Sequence, residues 1–499
     1  MPVNILFWLA LGLPTLAALV AAAVPSARWA LRVAVAGSLA SLVADSTIVV
    51  RVAGGGTIAA ASGWLRVDAL SAFHLALLVL VHGLSSLFAA VYLGEEIAHG
   101  GLARRSARVF GGLWCGALAS MTLLLVSNNV ALMWVGMEAT TLLTAFLISL
   151  HVSRESLEAM WKYLLICSVA VAFAFMGTLL AAAAAPRAGT PSGLLWTGLV
   201  AAAPRLDPML LRAAFVFLLV GYGTKAGLAP MHNWLPDAHS QAPAPVSALF
   251  SGFMLNAGLY CVLRFLPIVD ALPGGLGSTL LVVFGGLSLM VGAGFILFQH
   301  DAKRLLAYCS VEHVGLVALG LGLGPLGVAA ALFHSLNHSL AKCLAFFSVG
   351  RLGQACGGSH AIARISGAFR VSPLWGVGLV GSFLALAGAA PAASFVSELL
   401  ILKAAFDAGA WLALATLLAG LAVAFVGMMR HTIRLAWARP EGEPAPLATS
   451  RLELALVVLP LALLVGFALV LPRPVAELIS DAAHVVSGPA ATLFAGNRP

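Results

Sequence analysis

The sequence predicts an all-α protein that crosses a membrane many times. Of its 499 residues, 61% are hydrophobic and only 9% are charged, whereas a soluble globular domain carries about 25% charged residues. The apolar residues form long continuous runs, while a transmembrane β-barrel would show short segments of alternating polarity. The composition therefore excludes an ordinary soluble enzyme and a disordered chain, and leaves a polytopic helical membrane protein.

Because about 20 apolar residues cross the hydrocarbon core as a helix, the chain divides into about fourteen predicted spans. The spans are 4–24, 29–50, 69–93, 107–126, 128–150, 159–184, 209–229, 243–267, 277–299, 303–323, 326–350, 373–407, 411–434 and 452–472. The segment 373–407 is too long for one straight helix and contains Pro391, so we expect this helix to be broken.

The net charge of +8 is interpreted as a topology signal, because arginine and lysine collect in short loops. Loops after odd-numbered spans hold roughly twice as many of them as loops after even-numbered spans, and positive charge marks the cytoplasmic side. We therefore expect a multi-pass protein of the bacterial inner membrane with both termini on the outer, periplasmic side. The six cysteines form no CxxC pair and predict neither a zinc site nor a disulfide framework.

Titratable side chains recur inside the predicted spans, although a charge at the bilayer centre costs about 2.5–3.5 kcal/mol even on the lenient insertion scale. These residues are Glu138, Glu312, Glu398, Lys225, Lys342, Lys403, His74, His82, His313, His334 and His338. Apart from histidine, the bases among them are all lysines, which can lose a proton where an arginine stays charged. Mixed chains of carboxylates, lysines and histidines are typical of proton relays in pumps and transporters.

Spacing supports the relay. His334, His338 and Lys342 stand four residues apart, which places them on one face of a helix. In the structural alternative, single histidines only hydrogen-bond a neighbour, and Glu138 and Lys225 form a buried ion pair that joins two helices. A set that contains all three residue types favours proton transfer over that alternative.

Two segments rich in glycine and proline are predicted to interrupt helices at membrane depth. The first is GYGTKAGLAPMHNWLPDAHSQAPAPVSALFSG at 221–252, in which Lys225 lies beside the interruption. The second is AGAAPAASFVSE at 387–398, which ends at Glu398. Interrupted segments at corresponding positions of two halves indicate an inverted repeat and a transport site. The expected units are an N-terminal three-helix segment at 1–106, repeats at 107–267 and 268–434, and a final helix with a tail at 435–499.

Five motifs carry a family resemblance. They are MWVGMEATTLLTAFL, WKYLLICSVAVAFAFMGT, the 221–252 segment, DAKRLLAYCSVEHVG and HSLNHSLAKCLAFFSVG. On these motifs the chain resembles the antiporter-like membrane subunits shared by respiratory complex I, Mrp-type cation/proton antiporters and membrane-bound nickel–iron hydrogenases. It is most similar to the F-type membrane protein of hydrogenase-4.

The resemblance implies a fourteen-helix fold with two inverted five-helix units, and it implies roles for individual residues. Glu138 would be the essential glutamate of the fifth helix, and Lys225 the paired lysine of the seventh. His334 and His338 would be polar links of a central hydrophilic axis. Glu398 would be the charged residue of the broken twelfth helix.

One position departs from the family pattern. Many members carry a second lysine on the eighth helix, where this chain has Asn256 in FMLNAGLYCVLRF. The route between the two half-channels would then use water, Asn256 or the histidines.

The predicted function is proton translocation. A proton taken up on the cytoplasmic side would pass through Glu138, Lys225, His334, His338, Lys342 and Glu398 before it leaves on the outer side. Separating Glu138 from Lys225 would release the lysine proton, and restoring the pair would reload it. Secondary site candidates are Lys403, Asn256, His232, Asp237, Glu312 and His313.

The driving reaction is expected to lie in partner proteins. The sequence has no Walker A motif, no GxGxxG after a strand, no haem CxxCH and no HEXXH, so we expect no cofactor and no metal site. Expected partners are membrane lipid and other integral membrane subunits of a hydrogenase- or complex I-like assembly. A peripheral redox arm is a further candidate partner, and no nucleic acid is expected. The alternatives are an Mrp-like Na⁺/H⁺ antiporter subunit, a proton-channel subunit of an energy-coupled inorganic-carbon uptake complex, and a purely structural scaffold.

Overall fold

The computed structural model describes residues 2–185, 194–445 and 447–488. Its first part consists of the long helices α1 (Val3–Ala23), α2 (Ala27–Val52) and α3 (Ala69–Ala98). A short antiparallel hairpin of β1 (Ile58–Ala60) and β2 (Leu65–Val67), with Ile58 opposite Val67, lies between α2 and α3.

The second part carries the first interruption. Its helices are α4 (Arg104–Val126), α5 (Val130–Ile148), α6 (Arg154–Ala184), α7 (Trp196–Ala202), α8 (Pro208–Ala226), α9 (Trp234–Gln241), α10 (Ala244–Leu249) and α11 (Leu255–Val269). A π-helical turn at Phe250–Met254 joins α10 to α11, and such turns are frequent at functional sites.

The third part carries the second interruption. Its helices are α12 (Leu276–Ile296), α13 (Ala302–Leu321), α14 (Gly324–Ala355), α15 (Ile362–Ile365), α16 (Ala368–Val371), α17 (Pro373–Leu386), α18 (Ala393–Asp407), α19 (Trp411–Trp437), α20 (Arg451–Leu469) and α21 (Arg473–Ser487). The fold is all-α apart from the small hairpin in the described residues.

Several helices begin at a capping side chain that the sequence supplies. Asn129 accepts hydrogen bonds from the backbone of the first turn of α5, and Asp207 and Asp301 do the same for α8 and α13. These oxygens satisfy backbone N–H groups that have no partner within the helix. Three of the helices that form the site therefore start at fixed residues.

Membrane crossing agrees with the predicted segments. In the described ranges, 12 helical segments are long and apolar enough to cross a membrane, and α10 with α11 counts as one of them. The 32-residue α14, which carries the paired histidines, and the broken α17–α18 segment bring the total to the predicted fourteen.

Both predicted interruptions are present. Helix α8 ends at Ala226, Gly227 follows with a positive φ of 84°, and α9 begins only at Trp234. Helix α17 ends before Gly388, which has a φ of 65°, and α18 then starts the second half of that segment. Each interruption also contains a cis peptide bond before a proline. The expectation of two broken helices is confirmed.

Burial differs strongly between the central and the peripheral helices. The apolar stretch within Ala244–Val269 is 100% buried and that of α13 is 89% buried, whereas those of α1 and α20 are only 28% buried. Every residue from 331 to 350 of α14 is buried. The core therefore lies around α10–α11, α13 and α14, and peripheral helices expose apolar side chains suited to lipid.

Two buried arginines tie helices together at the edge of this core. Arg264 of α11 donates to both carboxylate oxygens of Asp68, which precedes α3, at 2.6 and 2.7 Å. Arg351 of α14 pairs with Glu453 of α20 at 2.9 Å and with Glu95 of α3. Because arginine keeps its charge, these pairs anchor helices and do not exchange protons.

Candidate functional site

The first cluster of the site surrounds Lys225, which lies one residue before the end of α8 and is fully buried. Its Nζ donates a hydrogen bond to the hydroxyl of Tyr163 on α6 and lies 4.5 Å from the centroid of that ring. The Tyr163 hydroxyl lies 2.7 Å from Oγ1 of Thr144 on α5. Lys225 is therefore held by a phenol and not by a carboxylate.

Glu138 lies half-buried on α5, near this cluster. One of its carboxylate oxygens accepts a hydrogen bond from Ser168 of α6 at 3.1 Å, and the other is buried without a hydrogen-bond partner in the described residues. Glu138 and Lys225 interact electrostatically but form none of the ion pairs found in this part of the chain. The ion pair of the structural alternative is not present between these two side chains: α6 packs against both α5 and α8, and its Ser168 and Tyr163 hydroxyls form the hydrogen bonds to Glu138 and Lys225.

Asn256 links the middle of the molecule to α14. Its side-chain amide donates to the carbonyl of Gly252, in the π-helical turn, at 2.9 Å and to Oγ of Ser339 at 3.2 Å. Ser339 itself donates to the same Gly252 carbonyl at 2.6 Å. The residue that replaces the family lysine therefore contacts α14 directly beside His338.

Sequence reasoning missed His239 of α9, which lies between the two clusters. Its ring stacks on Phe346 of α14 at 5.0 Å and lies 6.2 Å from Phe250, whose own ring stacks on Tyr163. It is fully buried, and neither ring nitrogen has a hydrogen-bond partner among the described residues. A histidine within the proline-rich WLPDAHS motif was the signal that could have identified it.

The second cluster joins α13, α14 and α18. Nδ1 of His313 and Nε2 of His334 lie 2.9 Å apart, and Nδ1 of His334 lies 2.9 Å from Oγ of Ser397. Nε2 of His313 lies 3.1 Å from the carbonyl oxygen of Leu386, the last residue of α17. The hydrogen-bonded line therefore starts on one side of the second interruption and ends on the other.

Three further titratable groups border this line. Oε2 of Glu312 lies 3.4 Å from Nε2 of His313, and the ring of His338 lies 5.0 Å from the His313 ring. Nζ of Lys342 donates to the Leu306 carbonyl at 2.7 Å and interacts electrostatically with Glu312. The predicted helix face of α14 thus points into one buried polar seam.

Glu398 closes the seam on α18. It is only 7% exposed, and a Cβ atom added to Gly388 would overlap its Oε2. Metal-ligating atoms of Glu398, His313 and His334 lie within 4.8 Å of one another. All four ring nitrogens of His313 and His334 are already engaged in hydrogen bonds.

Two secondary candidates, Asp237 and His232, have different surroundings. Asp237 of α9 is partly exposed and forms ion pairs with Lys162 at 3.1 Å and Arg304 at 2.8 Å, so it belongs to a surface network and not to the seam. His232 is buried in the first interruption, with its ring 6.3 Å from Tyr308. Its Nδ1 has no hydrogen-bond partner among the described atoms.

Lys403 does not lie inside the protein. Its side chain is 60% exposed and pairs with Asp407 at 2.5 Å in the last turns of α18. The expectation of a buried base at this position is wrong, because Lys403 follows Glu398 by five residues, which places the two on different faces of the helix.

Lys303 is a buried lysine outside both clusters. It lies at the start of the predicted span 303–323 and is only 2% exposed. Its Nζ donates to the carbonyls of Ser240 and Ala242 at the end of α9, so it stabilises the end of a short helix.

Two other predicted intramembrane histidines have local partners. Nδ1 of His74 lies 2.9 Å from the Leu70 carbonyl, and Nδ1 of His82 lies 3.2 Å from Oγ of Ser86. All four residues belong to α3. For these two histidines the geometry fits the structural alternative.

Comparison with known proteins identifies the family. The sequence profile described as "NADH:quinone oxidoreductase/Mrp antiporter, TM" matches residues 127–423, a range that contains both clusters. The chain belongs to this family. The resemblance predicted from the motifs is therefore confirmed, and the protein is an antiporter-like membrane subunit of the hydrogenase-4, complex I or Mrp type.

Individual relatives and solved structures support the same family assignment. The hydrogenase-4 component F homolog of Methylacidiphilum infernorum (isolate V4) is 38% identical over 385 residues, which cover 76% of this chain and 80% of the relative. A chain of respiratory complex I from Thermus thermophilus matches at a TM-score of 0.76 and 27% identity, covering 95% of this chain and 100% of that chain. A chain of an archaeal membrane-bound sulfane sulfur reductase shares the fold, with a TM-score of 0.83 at 24% identity and coverage of 97% and 98%.

Proposed function

We propose that this antiporter-like subunit moves protons through a redox-driven membrane complex of the hydrogenase-4 or complex I type. The observation that supports the proposal is the presence of two clusters of titratable groups inside an apolar bundle, one around the buried Lys225 and one around the buried His313, His334 and Glu398. Ionisable groups inside a membrane protein are expensive and mark proton and ion pathways. The driving reaction would come from a partner subunit.

The first cluster would load the proton. Tyr163 accepts the hydrogen bond of Lys225, and a phenol hydroxyl can both donate and accept hydrogen bonds. A proton taken up near Glu138 would reach the lysine through the Tyr163 and Thr144 hydroxyls, which lie 2.7 Å apart. A shift of α6 relative to α8 would then control loading of Lys225.

Transfer between the clusters would involve His239. Its ring lies 6.2 Å from Phe250, which stacks on Tyr163 of the first cluster. It also interacts electrostatically with Lys342, which borders the second cluster. Asn256, placed where many relatives carry a lysine, would hold α14 in register through Ser339 and would not itself carry charge. The proton would then pass along Lys342, His338, His313 and His334 to Glu398.

The matching interruptions support two repeats. Each has a helix, a glycine with positive φ, a cis-proline bond and a second helix. We place the repeats at 107–267 and 268–434, after the N-terminal segment at 1–106 and before the final helix and tail at 435–499. Of that tail, only residues up to 488 fall among those described.

The distribution of basic loop residues favours the bacterial inner membrane, with both termini on the periplasmic side. Partners would be other integral membrane subunits, since the hydrogenase-4 and complex I relatives are named as parts of larger complexes. A subunit with an electron donor site would supply the free energy.

The test begins with the native complex, isolated through an affinity tag on this chain. Mass spectrometry identifies the copurified subunits, and their identity indicates the driving reaction. A redox subunit is expected, while a zinc protein would support the inorganic-carbon alternative. The complex is then reconstituted in liposomes and energised by that reaction, and internal acidification is followed with a pH-sensitive dye. We call this measurement the transport assay.

Wild-type liposomes are expected to acidify, and Lys225→Ala complexes are expected to assemble without acidifying them. Full transport by Lys225→Ala would reject the assignment of this residue. Transport that requires sodium and no redox subunit would favour the Mrp-like alternative, which the family description keeps open.

A further inference from the structure

Ser397 has no role in the route described so far, yet it ends the hydrogen-bonded line through both histidines. The line runs from Oγ of Ser397 to Nδ1 of His334, from Nε2 of His334 to Nδ1 of His313, and from Nε2 of His313 to the Leu386 carbonyl. The three distances are 2.9, 2.9 and 3.1 Å. All of these side chains are 3% exposed or less.

The fixed end of the line sets its direction. A carbonyl oxygen can only accept, so Nε2 of His313 must carry a hydrogen. In a neutral ring the other nitrogen then accepts, which requires Nε2 of His334 to donate to Nδ1 of His313. Nδ1 of His334 is left as an acceptor, and the Ser397 hydroxyl is the group that donates to it.

Ser397 has a second place for its hydrogen. Its Oγ lies 2.8 Å from the carbonyl oxygen of Ser394 and 3.2 Å from that of Ala393, and it accepts a hydrogen bond from Asn337 at 3.3 Å. When the hydroxyl turns toward these carbonyls, its oxygen can accept from a hydrogen on Nδ1 of His334.

With the Ser397 hydroxyl in this second orientation, the two histidines can hold one additional proton. A hydrogen on Nδ1 of His334 makes its Nε2 the acceptor, so Nδ1 of His313 must donate while Nε2 of His313 still donates to Leu386. His313 is then an imidazolium cation, and Oε2 of Glu312 lies 3.4 Å from its Nε2. Both orientations satisfy every bond in the line, and they differ by one proton.

We propose that Ser397 is a positioning residue whose hydroxyl rotation lets the His334–His313 pair alternate between a neutral and a proton-loaded form. This inference rests on the proposed function. In the loading step an N–H bond forms at Nδ1 of His334, the N–H bond at its Nε2 breaks, and an N–H bond forms at Nδ1 of His313. His338, whose ring lies 5.0 Å from the His313 ring, supplies the proton as an imidazolium and becomes neutral. In unloading the proton passes to the carboxylate of Glu398, which has an oxygen within 4.8 Å of a nitrogen of each ring and becomes a carboxylic acid.

Ser397 keeps its own proton throughout and only changes its acceptor. Unloading reverses the same bonds. Because Ser397 and Leu386 lie on opposite sides of the second interruption, a movement of α18 against α17 would change both ends of the line. The serine would thereby couple the position of a broken helix to the proton content of the histidine pair.

The test compares Ser397→Ala, Ser397→Thr and Ser394→Ala in the transport assay, in ordinary water and in heavy water. Ser394 is the matched control, because it lies on the same helix, is 1% exposed and has an Oγ without a hydrogen-bond partner among the described atoms. Assembly is checked by copurification. The rate of the driving reaction is measured in parallel, so that protons moved per turnover can be compared.

Ser397→Ala is expected to lower transport per turnover by about tenfold and to enlarge the solvent isotope effect, because each form of the pair loses a hydrogen bond. Ser397→Thr keeps the hydroxyl and should restore transport to within about twofold, and Ser394→Ala should match the wild type. Normal transport by an assembled Ser397→Ala complex overturns the inference, as does an equal loss in Ser394→Ala. If Lys225→Ala still blocks transport in either case, the proposed function survives; wild-type liposomes that fail to acidify overturn both.

Discussion

The two broken helices hold their charges in different ways. Lys225 lies before the first interruption, fully buried, and its one described hydrogen bond goes to the Tyr163 hydroxyl. Glu398 lies after the second interruption and belongs to a group that includes His313, His334 and Glu312. The same backbone device therefore positions a single base in one half and a network in the other.

The difference teaches where a single substitution should matter most. A lone base cannot be bypassed, so its loss should stop transfer. In a network the proton can pass through the groups along more than one route. Changing the hydrogen bonds of one member should therefore slow transfer without stopping it. Effects are therefore expected to be larger around Lys225 than around the second interruption.

The largest effect is expected for Lys225→Arg. Arginine keeps the positive charge and the hydrogen-bond donors but does not give up its proton. Transport should fall by on the order of 100-fold, the lower end of what a positioned proton-transfer group contributes. The transport assay measures this loss, with copurification of partner subunits as the check on assembly.

Lys303→Arg is the matched control, because Lys303 is also buried but donates only to backbone carbonyls. It should retain most of the transport activity. Equal activity of the two arginine variants would mean that Lys225 acts as a fixed cation and not as a proton carrier.

A smaller effect is expected for Gly388→Ala at the second interruption. The added Cβ would overlap Oε2 of Glu398, and the carboxylate must move by roughly the 1 Å that is costly for a positioned group. We expect about a tenfold loss in the transport assay.

Gly409→Ala controls for backbone strain, because Gly409 has a φ of 64°, close to the 65° of Gly388, and open space around its Cβ position. It should transport nearly as well as the wild type. Equal losses in both variants would assign the effect to the left-handed backbone and not to Glu398.

Tyr163→Phe should have a still smaller effect. It removes one hydrogen bond to Lys225, worth about 1 kcal/mol, which corresponds to roughly a fivefold loss of transport. Tyr222→Phe, in a fully buried tyrosine on the same helix as Lys225, should leave transport unchanged. A wild-type rate in Tyr163→Phe would show that the proton reaches the lysine without the phenol.

Much of the fold could be predicted from the sequence, because crossing a membrane imposes a length and a polarity on each helix. Glycine and proline mark both interruptions in the sequence itself. The four-residue spacing of His334, His338 and Lys342 also indicates their common face, since it depends on a single helix. Each of these features depends on a single segment of the chain, and such features can be predicted from the sequence of that segment.

Contacts between helices could not be read in this way. Nothing in the spacing of Glu138 and Lys225 shows that Tyr163 of a third helix accepts the hydrogen bond from Lys225. Ser397 and Leu386 meet the histidine pair only because α17 and α18 pack on α13 and α14 after an interruption. The direction in which α18 restarts depends on that packing and not on its own sequence.

Lys403→Ala is expected to have the smallest effect, and it tests whether depth in a predicted span is enough to assign a function. Its side chain is exposed and paired with Asp407 four residues on, an arrangement that contributes only about 0.3–0.5 kcal/mol in helices. Transport and assembly should stay within twofold of the wild type, while Glu398→Gln, five residues earlier on the buried face, should lower transport strongly. A comparable loss in both variants would bring Lys403 back into the route and would mean that α18 turns during transport.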